Sequence, residues 1–209
     1  MSPPLELKVW GPYACFTRPE MKVERVSYPV LTPSAARGIL EAIFWKPEFS
    51  WHVREIAVLK PIRYFSIVRN EVSTKMSPRR DTPFYADEDR TQRHTLGLKD
   101  VAYVIRADVV PRPHCKDDPA KYRDQFRRRV ERGQCFHRPS LGCREFAAEF
   151  GAPSPDDRPL ADLNMDLGLM LFDLQYQGDR GPHVPRFFPG RLQAGVLCVP
   201  PELYQEVGL

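Results

Sequence analysis

No run of this 209-residue chain is long and apolar enough to span a bilayer: its most apolar stretch, LGLMLF, is bounded by Asp166 and Asp173. The opening MSPPLELKVW has no basic region leading into an apolar one, so neither a secretory signal nor a membrane span is expected, and the expected location is the cytoplasm. Cysteine is sparse, at positions 15, 115, 135, 143 and 198. There is no CxxC pair and one thiol is left over if the others bridge, which speaks against a disulfide framework and fits a reducing compartment. Internal repeats and low-complexity tracts are missing too, which excludes a repeat array. Charge of one sign is in small excess, a net +4. That permits a polyanionic partner without requiring one; what decides is whether the cations share a face.

Proline, by contrast, is plentiful: most of the 22 fall between candidate elements and read as punctuation of long loops. The length suits one medium domain, or a domain of about 150 residues with a small appendix. LELKVWG (5–11) alternates as a half-buried strand. TPSAARGILEAIFW (32–45) has Thr32 as N-cap, Pro33 at the first helical position, and Ala36, Ile39, Leu40, Ile43 and Phe44 on one stripe. Residues 53–70 read as a long strand bent or bulged at its proline. After a polar loop, 96–110 alternates again and suits a hairpin with it. PAKYRDQFRRRVERG (119–133) begins with proline and stops at glycine, so both helix ends are marked. LGCREFAAEF (141–150) is the next expected strand. The order predicts an α+β chain: a ferredoxin-like (RRM-like) βαββαβ domain over 1–152, then a small antiparallel β-sheet domain over 153–209. In the latter, MDLGLMLFDLQY and LQAGVLCVP are the expected strands, and QGDRGPHVPRFFPGR is the expected loop.

The second helix carries an unusual load. KYRDQFRRRVERGQC holds six Lys and Arg against one Asp and one Glu. Tyr122, Phe126 and Val130 form the buried stripe, so Lys121, Gln125, Arg128 and Arg132 project together. A charged helix face is ordinarily just solvated. Here Arg112, His114 and Lys116 stand just upstream, and His137 and Arg138 flank Phe136 just downstream. Cations interleaved with aromatics suit phosphate contact and base stacking. The aromatic signature of a sheet-surface RNA reader is absent from the strands.

Two strings, YPVLTPSAARGILEAIFWKP and PAKYRDQFRRRVERGQCFHRPSLGCREF, resemble the CRISPR-associated Cas-five family of type I-C (Dvulg) systems, in its catalytic branch. The likeness runs in order over 5–150 and continues more weakly through MDLGLMLFDL. It implies a RAMP-superfamily endoribonuclease that processes CRISPR precursor RNA at the base of the repeat hairpin, without metal or other cofactor. The enzyme would then stay on the 5′ handle of the crRNA, as a subunit beside the backbone and large subunits of the interference complex. In such chemistry the 2′-hydroxyl attacks phosphorus and leaves a 2′,3′-cyclic phosphate. One group must remove the hydroxyl proton, one must stabilise charge on phosphorus, and one must protonate the leaving 5′-oxygen. The family pattern, a Tyr ending the first helix and a Lys-His pair opening the second, falls on Phe44, Lys121 and Tyr122.

Lys121 keeps the charge-stabilising role. Phe44 transfers no proton and is explained by core packing alone. A phenol at Tyr122 needs a cation to lower its pKa, and Lys121 is adjacent. Otherwise Tyr28, Tyr85, His114 or His137 are candidates for the missing group. Arg128, Arg132, His137, Arg138, Arg144 and Arg37 are the expected RNA-binding residues. Cys115, Cys135, His137 and Cys143 match no usual zinc spacing. Asp87, Glu88 and Asp89 offer a cation site of the kind a metal-dependent DNA nuclease needs, although such runs are usually solvated. The alternatives to RNA cleavage are a non-catalytic handle-binding subunit and that DNA nuclease. In all three readings, affinity for the nucleic acid should fall steeply with added salt, and Arg128→Ala or Arg132→Ala should each reduce the slope of log K against log salt by about 1. Filter binding of repeat RNA measures this, and a salt-insensitive affinity would exclude the patch.

Overall fold

The computed structural model describes residues 3–74, 77–79, 85–176 and 183–207. Among them the chain is an α+β protein dominated by one antiparallel sheet. The elements are β1 (Leu5–Ala14), β2 (Arg25–Val26), α1 (Pro33–Ile43), β3 (Phe49–Val58), β4 (Tyr64–Val72), β5 (Arg90–Pro111), α2 (Pro119–Glu131), β6 (Glu149–Gly151), β7 (Met165–Tyr176), β8 (His183–Gln193), β9 (Val196–Cys198) and α3 (Glu202–Val207). The sheet runs β6-β1-β5-β3-β9-β8-β7, with β2 and β4 also on β5.

β5 organises the sheet. Its first half pairs with β4 as an exposed ribbon, and its second half is buried between β1 and β3. The two halves meet at Asp100, which takes a positive φ of 55° and pairs with Lys60 at 2.5 Å. Asp tolerates the left-handed region because its short side chain bonds locally. The expected long strand over 53–70 is two strands instead. Pro61 has no N–H to offer a ladder, so pairing lapses after Val58 and resumes at Tyr64, on the same β5. β3 is also bulged between Val53 and Glu55.

Both helices form as the sequence indicates. Thr32 Oγ1 accepts from Ala35 N at 3.2 Å to start α1, and Asp118 accepts from Ala120 N at 2.9 Å to start α2. Their apolar stripes close over a cluster of rings: Phe49 lies 5.6 Å from Phe44, 5.1 Å from Tyr122 and 5.5 Å from Trp51, and Trp51 lies 4.8 Å from Phe126. Such pairs add about 0.5–1.5 kcal/mol each beyond their buried area.

Two other expectations differ. Of the strand expected over 141–150, only Glu149 and Phe150 belong to a regular strand, β6, and Ala147 makes one isolated bridge to Ser140. Gly142 breaks it: its φ is +88°, and a Cβ there would sit 2.0 Å from the Cys15 carbonyl oxygen. Much of the expected loop before Leu192 is β8, paired along β7. Among the described residues β8 meets β9 only at Leu192 and Gln193, so Pro185 and Pro189 need no N–H on that side. Residues 177–182 of that loop lie outside the described residues. α3 is too short for a helical period to be read. It docks through Tyr204, whose hydroxyl accepts from Val53 N at 2.6 Å and donates to Val53 O at 3.0 Å.

Residues beyond 152 join the same sheet through β9 on β3. A buried ion pair adds to the junction: Arg37 of α1 donates to Asp173 of β7 at 2.6 Å and to Glu41 at 2.8 Å, with the Asp173 side chain 2% exposed. Removing one partner strands the other charge out of water. Asp173→Ala should therefore cost about 3–5 kcal/mol in urea unfolding, whereas replacing Arg37 and Asp173 together by apolar residues should cost far less.

Candidate active site and nucleic-acid interface

α1 ends where α2 begins. Phe44, the C-cap of α1, sits with its ring 6.5 Å from that of Tyr122 in the first turn of α2, and both are buried. Lys121, one residue earlier, is exposed to solvent. The three positions singled out in the sequence are therefore brought to one helix junction.

The last carbonyls of α1 have no partner within the helix, and other segments supply donors. Phe136 N and His137 N both reach Ala42 O, at 2.8 and 3.0 Å. Arg129 Nη1 reaches Ile43 O at 2.8 Å, with its guanidinium 5.4 Å from the Phe44 ring centroid. Trp51 Nε1 reaches Phe44 O at 2.9 Å. Just beyond, His114 Nε2 lies 3.1 Å from Pro47 O, and Arg112 N donates to Glu48 O at 2.8 Å. The loop after α2 and the turn before it are thereby fastened to the same end of α1. Phe136, 73% exposed, and Trp45, 52% exposed, leave aromatic faces open nearby.

Asp117 holds the start of α2. Its Oδ2 accepts from Lys121 Nζ at 2.9 Å and from the Tyr122 hydroxyl at 2.8 Å. Hydrogen bonds from Lys121 and then Tyr122 lower the Asp117 pKa, and the same Asp117 bond raises that of Lys121. Tyr122 moves opposite to the expected direction. Burial of its ring, then the bonds to Asp117 and Cys115, raise the phenol pKa, and Cys115 Sγ is 3.9 Å from the hydroxyl. Asp117, four residues before Lys121, takes up the cation's influence, so the phenol stays protonated as a donor and is no base in this arrangement. That carboxylate was missed in the sequence, although its i, i+4 spacing to Lys121 is readable.

The expected RNA contacts divide. Arg128, Arg132, His137, Arg138 and Arg144 are exposed. Arg138 pairs with Glu149 at 3.0 Å, both exposed, a contact that a phosphate can displace at little cost. Arg37 is a correction: it is 15% exposed and committed to Asp173 and Glu41 inside the fold, so it is not presented to RNA. Arg129, unremarked in the sequence, takes the place at the junction. Its signal was Phe44 itself, an apolar ring at a helix end on which a cation can rest.

The remaining candidates lie apart from this junction or inside the core. Tyr28 is buried, and burial raises its phenol pKa. Tyr85 is exposed in the loop between β4 and β5. Of the acidic run, Asp87 pairs with Arg90, and Asp89 accepts from Thr74 N at 2.7 Å. Among the described residues the thiols gather into no metal-binding group: Cys143 lies beside Cys15, 3.8 Å from the Thr17 hydroxyl and 3.5 Å from Arg25 Nη1, and its pKa is lowered to about 6 by the bond with Cys15, with Thr17 and Arg25 assisting. Cys115 is instead beside Tyr122, and Cys135 is exposed.

The fold is similar to that of solved CRISPR-associated proteins. A solved structure described as a CRISPR-associated protein is 25% identical with a TM-score of 0.70, covering 95% of this chain and 92% of its own. One chain of a CRISPR RNA-guided surveillance complex shares the fold at 13% identity and a TM-score of 0.53, covering 98% of this chain and 97% of its own. The family described as CRISPR-associated protein (Cas_Cas5), of the Cas5d type, matches residues 4–200. The chain belongs to the Cas5d family. Proteins named CRISPR pre-crRNA endoribonuclease Cas5d are 51% identical in Thermus thermophilus, covering 97% of this chain and 94% of the relative, and 46% identical in Mannheimia succiniciproducens, covering 97% of each.

The Lys121 charge depends on Asp117 with a definite sign. Because Asp117 raises the Lys121 pKa, Asp117→Asn should let Lys121 lose its proton at lower pH, observed as a downward-shifted 13Cε-lysine NMR titration. The Asp117 contacts themselves should persist above the ordinary carboxylate range and be lost only as pH falls through the lowered value.

Proposed function

We propose that this chain is a pre-crRNA endoribonuclease that cuts the CRISPR repeat by 2′-hydroxyl attack, without metal or other cofactor, and leaves a 2′,3′-cyclic phosphate. The observation that carries this reading is the 51% identity, over nearly the whole of both chains, to a protein named for that activity. In it, Lys121 neutralises charge on the non-bridging oxygens, and the Asp117 bond keeps it protonated. Tyr122 and Phe44 set the shape of the junction and transfer no proton. Arg128, Arg132, His137, Arg138 and Arg144 grip phosphates, while Phe136 stacks on an unpaired base.

The domain over 1–152 is read as ferredoxin-like: β1, α1, β3, β5, α2 and β6 follow in chain order, and their strands lie side by side as β6-β1-β5-β3. The sheet of 153–209 extends it. After cleavage the protein stays on the 5′ handle, beside the backbone and large subunits of a type I-C complex in the cytoplasm. A second reading, handle binding without cleavage, is favoured by one observation: neither Phe44 nor the Asp117-bound Tyr122 serves as a proton acceptor.

Cleavage of the organism's own repeat RNA in EDTA separates these readings. The expected result is a chelator-resistant cut that disappears when the nucleotide at the cut carries 2′-deoxy. It should slow by about 10²–10³ in Lys121→Ala and change little in Tyr122→Phe. Tight binding with no cut makes the protein a handle-capping subunit; a cut that needs a divalent cation makes it a metal nuclease.

A further inference from the structure

We propose that His114 is the general base of the cleavage reaction; this rests on the endoribonuclease reading above. With Phe44 apolar and Tyr122 tied to Asp117, the junction requires a proton acceptor from outside the two helices. The turn immediately before α2 supplies one. His114 Nε2 lies 3.1 Å from the Pro47 carbonyl oxygen, which only accepts, so this ring nitrogen carries the proton and donates. Nδ1 is then left with its lone pair. A backbone carbonyl has thus selected the tautomer and oriented the ring, which is the second-group support a catalytic base needs. His114 is exposed to solvent.

Its position is fixed relative to Lys121 from two sides. The neighbouring Cys115 places Sγ 3.9 Å from the Tyr122 hydroxyl and donates to Asp117 O, so the turn leads directly into the Lys121–Asp117 pair. Across from it, Arg112 N on Glu48 O and the His114 contact on Pro47 hold the turn against the connection that leaves α1. The charged and titratable groups of the segments that meet at this turn are Glu48 in that connection, Cys115 and Lys116 in the turn itself, and Asp117 and Lys121 at the start of α2, where Asp117, Glu48 and Cys115 each raise the Lys121 pKa. The other candidates fail on placement. Tyr28 is buried, and Tyr85 belongs to the β4–β5 loop. The ring of His137 rests on Phe136, with centroids 4.3 Å apart, and no contact orients either of its nitrogens among the described residues.

In the step, Nδ1 takes the 2′-hydroxyl proton, O2′ bonds to phosphorus, and the bond from phosphorus to O5′ breaks. O5′ leaves with a proton from water, and protonated His114 returns its proton to solvent. The products are a 2′,3′-cyclic phosphate and a 5′-hydroxyl.

Single-turnover cleavage of repeat RNA in EDTA across pH, with affinity measured in parallel, tests this in wild type, His114→Gln, His137→Gln and His114→Gly. His114→Gln should slow cleavage by about 10²–10⁴ and remove the acid limb of the pH–rate profile, with RNA affinity unchanged. His137→Gln should keep that limb, and imidazole added to His114→Gly should restore cleavage in proportion to its unprotonated fraction. A His114→Gln enzyme that cuts at the wild-type rate, or slowly with the wild-type profile and no imidazole rescue, overturns the assignment alone. A wild type that makes no cut in EDTA overturns both it and the reading beneath it.

Discussion

Everything placed at the junction depends on the open end of α1. A helix finishes with carbonyls that its own backbone cannot satisfy, and leaving them buried without donors is costly. Here the donors come from three elements: the amides of Phe136 and His137 in the loop after α2, the guanidinium of Arg129 in α2 and the indole of Trp51 in β3. Each bond meets an ordinary need of the backbone, and each also positions an aromatic or cationic side chain around one point. The site is a by-product of terminating a helix.

What the sequence revealed and what it hid follow the range of the interactions involved. α1 and α2 were legible down to their caps because Thr32, Pro33, Asp118 and Pro119 act within a turn of themselves. The strands of β1 and the buried half of β5 were legible through alternation. The break after Val58 was only half legible, since proline at 61 signals disruption but says nothing of both pieces returning to one partner strand. β8 was hidden by its prolines, which argue for a loop unless the partner on one side is known to be absent. The turn at Gly142 depends on the nearness of the Cys15 carbonyl, a contact across more than a hundred residues.

At the candidate site, the nearness of the chosen positions was legible and their electrostatics were not. Phe44, Lys121 and Tyr122 do meet, but the direction of the Tyr122 shift turned on which oxygen its hydroxyl found. Arg37 was misread for a similar reason. Its place on α1 is one a phosphate-binding cation could take, and only the neighbouring strand β7 reveals a buried carboxylate waiting for it. Cations on a surface can be counted from sequence; their commitments are set by tertiary neighbours.

The prolines of β8 have a consequence for how the protein behaves in a crowd. An uncovered strand edge ordinarily offers amide hydrogens to any passing chain and so seeds sheet growth between molecules. Where β9 stops covering β8, Pro185 and Pro189 remove two of those hydrogens from the backbone. The same residues that disguise the strand in the sequence make it a poor template, which protects a sheet-rich molecule from polymerising through that edge.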